Sequence, residues 1–154
     1  MDDHVTNVAA AVESAVESLV SVLDSARAAQ APTVPPAQLR VLTIISSNRH
    51  TNMSRLAETL DVVPSSASRL CDRLEAAGLL RRVPDPRDRR EVRLMLTPSA
   101  RRLLDQIRER RRAALAQVLD RMPTATRDDL LRSLKSFAEA AEPGASGTAD
   151  LRTA

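Results

Sequence analysis

The chain has 154 residues, a formal net charge of +3 and 43% hydrophobic residues, which suits one domain with extensions and excludes wholesale disorder. Its single cysteine, Cys71, excludes an internal disulfide framework. No apolar run is expected to reach the length of a membrane span, and the N-terminus is acidic where a signal peptide would be basic. These features predict a cytoplasmic protein without a membrane partner.

Charge is distributed unevenly along the chain. Residues 40–112 hold 17 Arg against 9 acidic residues, whereas the remaining residues carry more acidic than basic groups. A basic middle between acidic ends is typical of a protein that binds a polyanion. The alternative is an arginine-rich composition that only solvates ordinary helices.

Hydrophobic periodicity and the nine prolines predict a mostly helical chain, because proline breaks helix interiors but is tolerated in a first turn. Apolar residues at three-to-four spacing run through the proline-free N-terminal segment, and a linker follows at 31–35. A polar turn is expected at 48–52. The predicted helices cover residues 5–30, 36–47, 53–60, 64–77, 98–121 and 126–142.

Several predicted helix ends carry specific signals. Pro36 and Pro64 suit first-turn positions, and Thr97 suits an N-cap before Pro98. Gly78 is expected to take a left-handed conformation after the helix over 64–77. Thr126 and Asp129 resemble a capping box for the last helix.

A two-stranded hairpin interrupts the helices. Residues 92–96 alternate between apolar and polar side chains, residues 79–83 can pair with them, and residues 84–90 form the polar tip. The fold class is therefore mostly α (α+β), a winged helix-turn-helix with a two-stranded wing and a helical dimerisation region formed by the N- and C-terminal helices.

The helix over 64–77 is the predicted recognition helix. Small hydroxyl side chains near its start allow close approach to the major groove of DNA, and arginine can pair bidentately with guanine. The residues that its core face does not need are Ser65, Ser66, Ser68, Arg69, Asp72 and Arg73.

The hairpin tip is the second predicted DNA contact. A rigid loop of this kind can place arginine in a narrow, electronegative minor groove. A charged turn that only keeps the protein soluble is the alternative, but a position directly after a helix-turn-helix favours DNA contact. The residues concerned are Arg87, Asp88, Arg89 and Arg90.

Residues 60–97 carry one further pattern as a set. It reads Pro64-Ser65-Ser66, Ser68-Arg69-Leu70, Asp72-Arg73-Leu74-Glu75 and Gly78-Leu79, then Asp88-x-Arg90 and a strand ending Leu94-x-Leu96-Thr97. This pattern resembles the core of the MarR family of winged-helix transcriptional regulators. With the order of the flanking helices, the resemblance covers about residues 5–142.

The resemblance implies a dimer in which the helices over 5–30, 98–121 and 126–142 interleave with those of a partner. Their apolar stripes are also more than one small winged helix can cover. The resemblance further implies that Arg90 enters the minor groove and that Asp88 braces it. The implied recognition-helix contacts are Ser65, Ser66, Ser68, Arg69 and Arg73.

Three residues depart from the usual pattern of the family. Asp61 stands where members often have glycine, and Val63 stands where serine or threonine usually caps the recognition helix. Pro64 must then start that helix without a side-chain cap. Glu91 replaces a small residue after the wing arginine and is expected to weaken a local phosphate contact.

Together these inferences predict a sequence-specific, double-stranded DNA-binding transcriptional regulator that acts as a homodimer on an inverted repeat, without a cofactor. The expected mode is a repressor released by a small molecule, since the commonest trigger in the family is a small, often aromatic anion. With no Trp or Tyr in the chain, the expected effector pocket is apolar, lined by Leu, Val and Met.

The predicted domain organisation follows the same division. Residues 1–35 form an N-terminal dimerisation helix and linker, and residues 36–97 form the winged helix-turn-helix DNA-binding domain. Residues 98–142 form the C-terminal dimerisation helices, and residues 143–154 form a disordered tail.

No enzyme is expected, because neither His4 nor His50 has a suitably spaced partner and the serines at 65–68 lack a base. Two other roles stay open. One is a winged-helix protein-interaction module without sequence-specific DNA readout. The other is a regulator that responds to oxidants through Cys71 or to a metal through His50, although Cys71 falls on a buried stripe where core packing is expected.

Overall fold

The computed structural model describes residues 3–28, 34–48, 50–86 and 91–141, and these form six helices and a two-stranded antiparallel sheet. This is the predicted mostly helical architecture with one hairpin. In chain order the elements are α1 (Asp3–Ala28), α2 (Pro36–Ser47), α3 (Met53–Leu60), α4 (Pro64–Ala76), β1 (Leu80–Pro84), β2 (Val92–Leu96), α5 (Pro98–Asp120) and α6 (Thr124–Ala141).

The chain divides into two compact units, Met1–Ala113 and Ala114–Ala154, with the division inside α5. The hydrophobic core of the first unit is drawn from α2, α3, α4, both strands and the first half of α5. Its largest fully buried apolar side chains are Leu42, Leu56, Leu74 and Leu80. In the second unit, none of the described residues of α6 is buried.

The helix starts follow the predicted signals. Pro36 and Pro64 occupy first-turn positions, and Val63 precedes Pro64 without a side-chain cap, as predicted. Thr97 caps α5, because its hydroxyl accepts from the Ala100 amide at 3.2 Å. The start of α3 is capped by the Asn52 side chain, which accepts from the Arg55 amide at 2.9 Å.

The end of α4 forms the predicted left-handed turn. Gly78 has a φ of +69°, a region that favours glycine because other residues carry a Cβ. The Leu79 amide donates to the Leu74 carbonyl and the Gly78 amide to the Glu75 carbonyl, both at 2.9 Å. These bonds satisfy carbonyls that the end of a helix leaves unpaired. The helix ends at Ala76, one residue before the predicted end, and Ala77 is exposed.

The wing is the predicted hairpin, with β1 shifted by one residue from the predicted 79–83, and a third segment pairs with it. β1 runs over Leu80–Pro84 in antiparallel register with β2, so that Leu80 pairs with Leu96 and Pro84 with Val92. The segment before α3 also joins this sheet, since Asn52 bridges Arg93 and the Leu94 amide donates to the Thr51 carbonyl at 2.9 Å. The predicted polar turn over 48–52 does connect α2 to α3, but its end differs from the prediction, because Thr51 is buried and Asn52 joins the sheet.

The start of α6 also differs from the prediction. The helix begins at Thr124, immediately after Pro123, and the Arg127 amide donates to the Pro123 carbonyl at 3.1 Å. Thr126 therefore lies inside the first turn, and Asp129 forms an ion pair with Arg132. The predicted capping box between Thr126 and Asp129 is wrong because proline sets the start of the helix two residues earlier.

Helix α1 passes the length and composition criteria for a membrane-spanning helix. His4–Ala26 spans 23 residues with a mean hydropathy of 1.3 and is not buried. The expectation that no apolar run reaches this length is wrong by that measure. The valine and alanine residues of α1 raise its mean hydropathy, although polar residues interrupt the apolar sequence. A single such helix near the N-terminus is a weak indication of a membrane span, and Glu13 and Glu17 interrupt this one near its middle.

Three predictions fall on residues outside the described part of the chain. They are most of the linker at 31–35, the wing tip at 87–90 and the tail at 143–154.

Candidate nucleic-acid interface

Helix α4 divides into a buried face and an exposed face. Ala67, Cys71 and Leu74 are buried and pack into the core beside α2 and α3. Along the other face, the predicted DNA-contacting residues are available to solvent. Ser65, Arg69 and Arg73 are exposed, and Ser66 and Ser68 are half-buried.

The two arginines on this face are not engaged by other side chains in the described part of the protein. Within residues 3–28, 34–48, 50–86 and 91–141, neither Arg69 nor Arg73 makes a side-chain hydrogen bond or ion pair. Arg69 and Arg73 are four residues apart, so their side chains lie on the same side of the helix. The helix therefore presents two free positive charges beside small hydroxyl groups.

Asp72 is not free, although it shares the exposed surface of α4. Arg82 on β1 bridges to the Asp72 carboxylate at 2.7 Å and to the Glu75 carboxylate at 2.5 Å. The hydrogen bond with Asp72 is the largest cause of a raised pKa for Arg82, and burial opposes it. Sequence reasoning grouped Asp72 with the DNA-facing residues and missed Arg82, since only the fold brings β1 against α4.

Cys71 lies fully buried on the core face of α4. Burial raises the pKa of Cys71 to about 11, while the nearby Arg82 guanidinium acts to lower it. A thiol in this environment stays protonated at neutral pH, and reactivity with oxidants belongs to the thiolate. The geometry favours the packing role for Cys71 over the sensing role.

A cluster of polar contacts holds the wing where its two strands meet the tip. Arg93 on β2 lies 3.4 Å from the Asp85 carboxylate and 2.6 Å from Nδ1 of His50. The Asn52 side chain, which caps α3, also donates to the Glu91 carboxylate at 3.2 Å. Glu91 is thus engaged with the helix-turn-helix, a contact that its sequence position did not reveal.

The wing arginines predicted from the sequence cannot be placed in this interface. Arg87, Asp88, Arg89 and Arg90 lie outside the described residues. The residues on either side are brought together, since the Asp85 amide donates to the Glu91 carbonyl at 2.9 Å.

A cavity of about 410 Å³ lies in the first unit between the end of α2, strand β2 and the first half of α5. The apolar lining includes Ile45, Leu94 and Leu104, but Arg101 and Arg108 also line it. Arg108 pairs with Asp105 at 2.9 Å. The expectation of a purely apolar pocket does not describe this cavity, because α5 contributes charged side chains to it.

Among the described residues, no group of three or more His, Cys, Asp or Glu side chains lies together in a way that could hold a metal ion.

A helix-turn-helix with exposed arginines on its second helix, followed directly by a two-stranded wing, defines a winged-helix protein of the DNA-binding class. Comparison with known proteins identifies the family. The MarR family model matches residues 34–92, which contain α2, α3, α4, β1 and the start of β2. The chain belongs to the MarR family.

The chain is similar to characterised and solved proteins of this type. It is 30% identical over 109 residues to the HTH-type transcriptional repressor MdtR of Bacillus subtilis, covering 71% of this chain and 68% of MdtR. It is 34% identical to RV1404 from Mycobacterium tuberculosis, whose crystal structure matches with a TM-score of 0.77 over 94% of this chain and 99% of RV1404.

A MarR family protein from Bacillus stearothermophilus has the same fold, with a TM-score of 0.75 at 20% identity over 91% of this chain and 97% of that protein. Family membership makes this chain a DNA-binding transcriptional regulator rather than an enzyme, and regulators of this family act as dimers. The predicted family, fold class and general function are confirmed.

Proposed function

We propose that this protein is a cytoplasmic, homodimeric repressor that binds an inverted repeat in double-stranded DNA and is released by a small ligand. The observation that carries the proposal is the exposed face of α4, where neither Arg69 nor Arg73 has a partner among the residues that the structure describes. Free guanidinium groups on a recognition helix can form bidentate hydrogen bonds with guanine in the major groove.

The proposed major-groove contacts are ordered along α4. Ser65 lies in the first turn, where a small side chain permits close approach to the DNA backbone. Arg69 lies one turn further on and is the proposed reader of a base edge. The remaining proposed contacts on this helix are Ser66, Ser68 and Arg73.

The proposed minor-groove contact is the wing tip. This part of the proposal comes from the sequence, with Arg90 as the entering residue, Asp88 as its brace and Arg87 and Arg89 beside them. The anchoring of Arg93 to Asp85 and His50, beside the tip, supports it. A tip whose neighbouring residues are already fixed loses less conformational entropy when it meets DNA.

The proposed homodimer places the helices outside residues 36–97 at the subunit interface. The support is a set of large apolar side chains that remain exposed on α1 and α6. A chain that leaves such stripes uncovered needs a partner surface, and a two-fold dimer matches an inverted repeat. The exposed residues are Val5, Val8, Val12, Val16, Leu19, Val20, Leu130, Leu131, Leu134 and Phe137.

Repression and ligand release are the most specific parts of the proposal. The similar protein MdtR is a transcriptional repressor, which supports repression here. The 410 Å³ cavity has a size suited to a small molecule. Arg108 in its lining is paired with Asp105, but Arg101 has no ion-pair partner among the described residues and favours an anion. A ligand there would contact both β2 of the wing and α5.

The test separates the two arginine roles by salt titration on a duplex selected from a random pool and on a scrambled duplex. Arg69→Ala should lower the preference for the selected duplex by about 5- to 150-fold per half-site, the equivalent of one lost bidentate base contact in each subunit. Arg90→Ala should weaken binding to both duplexes together. The logarithm of the DNA-binding constant should also fall less steeply with the logarithm of the salt concentration. The slope should be shallower by about one per arginine, so about two per dimer.

Two results would contradict this proposal. If Arg90→Ala binds both duplexes as tightly as the parent at physiological salt, the wing does not contact DNA. If the parent protein shows no preference among duplexes, the winged helix serves as a protein-interaction module without sequence-specific readout.

A further inference from the structure

Arg82 makes a contact that the DNA-binding proposal does not use. It lies on β1, outside the recognition helix, yet its guanidinium bridges Asp72 at 2.7 Å and Glu75 at 2.5 Å on α4. The Arg82 amide also donates to the Glu75 carboxylate at 3.4 Å. One residue of the wing thus engages both carboxylates of the recognition helix.

Without Arg82, the Asp72 carboxylate would have another guanidinium in reach. Asp72 follows Arg69 by three residues, a spacing at which side chains meet on a helix surface. The same chain forms ion pairs at this spacing, at Asp129 with Arg132 and at Asp105 with Arg108, whose guanidinium also donates to the Ser46 hydroxyl at 3.2 Å. Those pairs have the acidic residue first, and the reverse order at Arg69 and Asp72 makes that pair weaker but does not prevent it.

We infer that Arg82 is a positioning residue for DNA recognition: it holds the Asp72 carboxylate on β1 and thereby keeps Arg69 free to contact DNA. The inference rests on the proposed base-reading role of Arg69. An Arg69 paired with Asp72 would have to break that pair before it reached a base. The released carboxylates would also add negative charge beside the DNA phosphates.

A merely stabilising role for the bridge would have a different consequence. Its carboxylate partners are largely solvent-exposed, with side-chain exposures of 58% for Asp72 and 41% for Glu75. Ion pairs between exposed groups contribute little to folding. Loss of the Arg82 side chain is therefore expected to lower the preference for the selected DNA and to leave thermal stability unchanged.

The experiment compares full-length variants on the duplex that the parent selects from a random pool and on a scrambled duplex. Arg82→Ala should lower the preference for the selected duplex by about fivefold or more, the lower range for loss of a bidentate base contact. Adding Asp72→Asn to Arg82→Ala should restore the preference to within about twofold of the parent, because the neutral amide no longer attracts Arg69. Thermal unfolding should stay close to that of the parent in both variants.

Two controls complete the set. Arg81 is an exposed arginine on the same strand, and its side chain has no partner in the described part of the chain. Arg81→Ala therefore measures the effect of losing one positive charge without losing the bridge to α4. Asp72→Asn alone should keep the preference of the parent, because Arg69 stays free.

The outcomes separate the inference from the proposed function. If Arg69→Ala leaves the preference unchanged, the base-reading proposal itself is wrong. If Arg69→Ala lowers the preference but Arg82→Ala does not, only the positioning role is wrong. If Arg82→Ala lowers it and Asp72→Asn fails to restore it, or if Arg81→Ala lowers it equally, Arg82 acts through its own charge and the inference is overturned.

Discussion

At the scale of single residues, Cys71 links the recognition helix to the stability of the fold. Its side chain has 0% exposure, and burial raises its pKa from 9.0 to about 11. The folded protein then holds the thiol proton more tightly than the unfolded chain does, so deprotonation favours unfolding. The stabilisation is complete below about pH 9 and is lost as the pH rises towards about 11.

The chain is well suited to a test of this effect, because it has no Tyr and its one lysine, Lys135, is exposed. We expect the free energy of unfolding in urea to fall by about 2 kcal/mol between about pH 8 and pH 11, from a pKa difference of about two units. Cys71→Ala should be less stable at pH 8, through lost packing, but should show a flatter pH profile. Parallel profiles for the two proteins would assign the pH dependence to other groups.

At the scale of elements, the turn at Gly78 sets where α4 ends and the wing begins. A Cβ built at Gly78 would meet no atom within 4 Å, so only the backbone conformation, with φ at +69°, disfavours another residue. We expect Gly78→Ala to lower the free energy of unfolding by about 1 kcal/mol, since a left-handed conformation costs residues with a Cβ about 1–2 kcal/mol.

Gly78→Asn is the matched control for this prediction, because asparagine visits the left-handed region more readily than alanine does. It should lose less stability than Gly78→Ala in urea unfolding. An alanine variant as stable as the parent would argue against a left-handed turn at this position in solution.

The elements that could be predicted from sequence are those with local signals. Proline is tolerated at few positions in a helix, as at Pro36 and Pro64, and Gly78 suits one kind of helix end. The predicted boundaries of α2, α3 and α4 are therefore close to the observed ones. Thr51 had no such signal. Its burial depends on the pairing of its carbonyl with Leu94, which comes from a strand far along the chain.

Part of the candidate site could likewise be predicted from local sequence patterns, and part depends on the tertiary fold. The exposed arginines of α4 follow from helical periodicity, which separates them from Ala67, Cys71 and Leu74. Arg82 does not, because its partners lie 7 and 10 residues earlier on a different element. The raised pKa of Cys71 likewise depends on burial, which needs the packed fold.

At the scale of the whole molecule, the exposed apolar residues of α6 bear on assembly. Leu130, Leu134 and Phe137 recur at helical spacing, and Phe137 is 66% exposed. We expect a dimer of twice the 16.8 kDa chain mass by light scattering at low micromolar concentration. Phe137→Asp should shift it towards monomer and weaken binding to an inverted repeat with half-site centres about 10 bp apart, because only a dimer engages both halves at once.

Ser136→Asp adds the same charge on the opposite side of α6 and should leave both mass and binding unchanged. A stable parent monomer that protects a single half-site in footprinting would rule out the two-fold assembly.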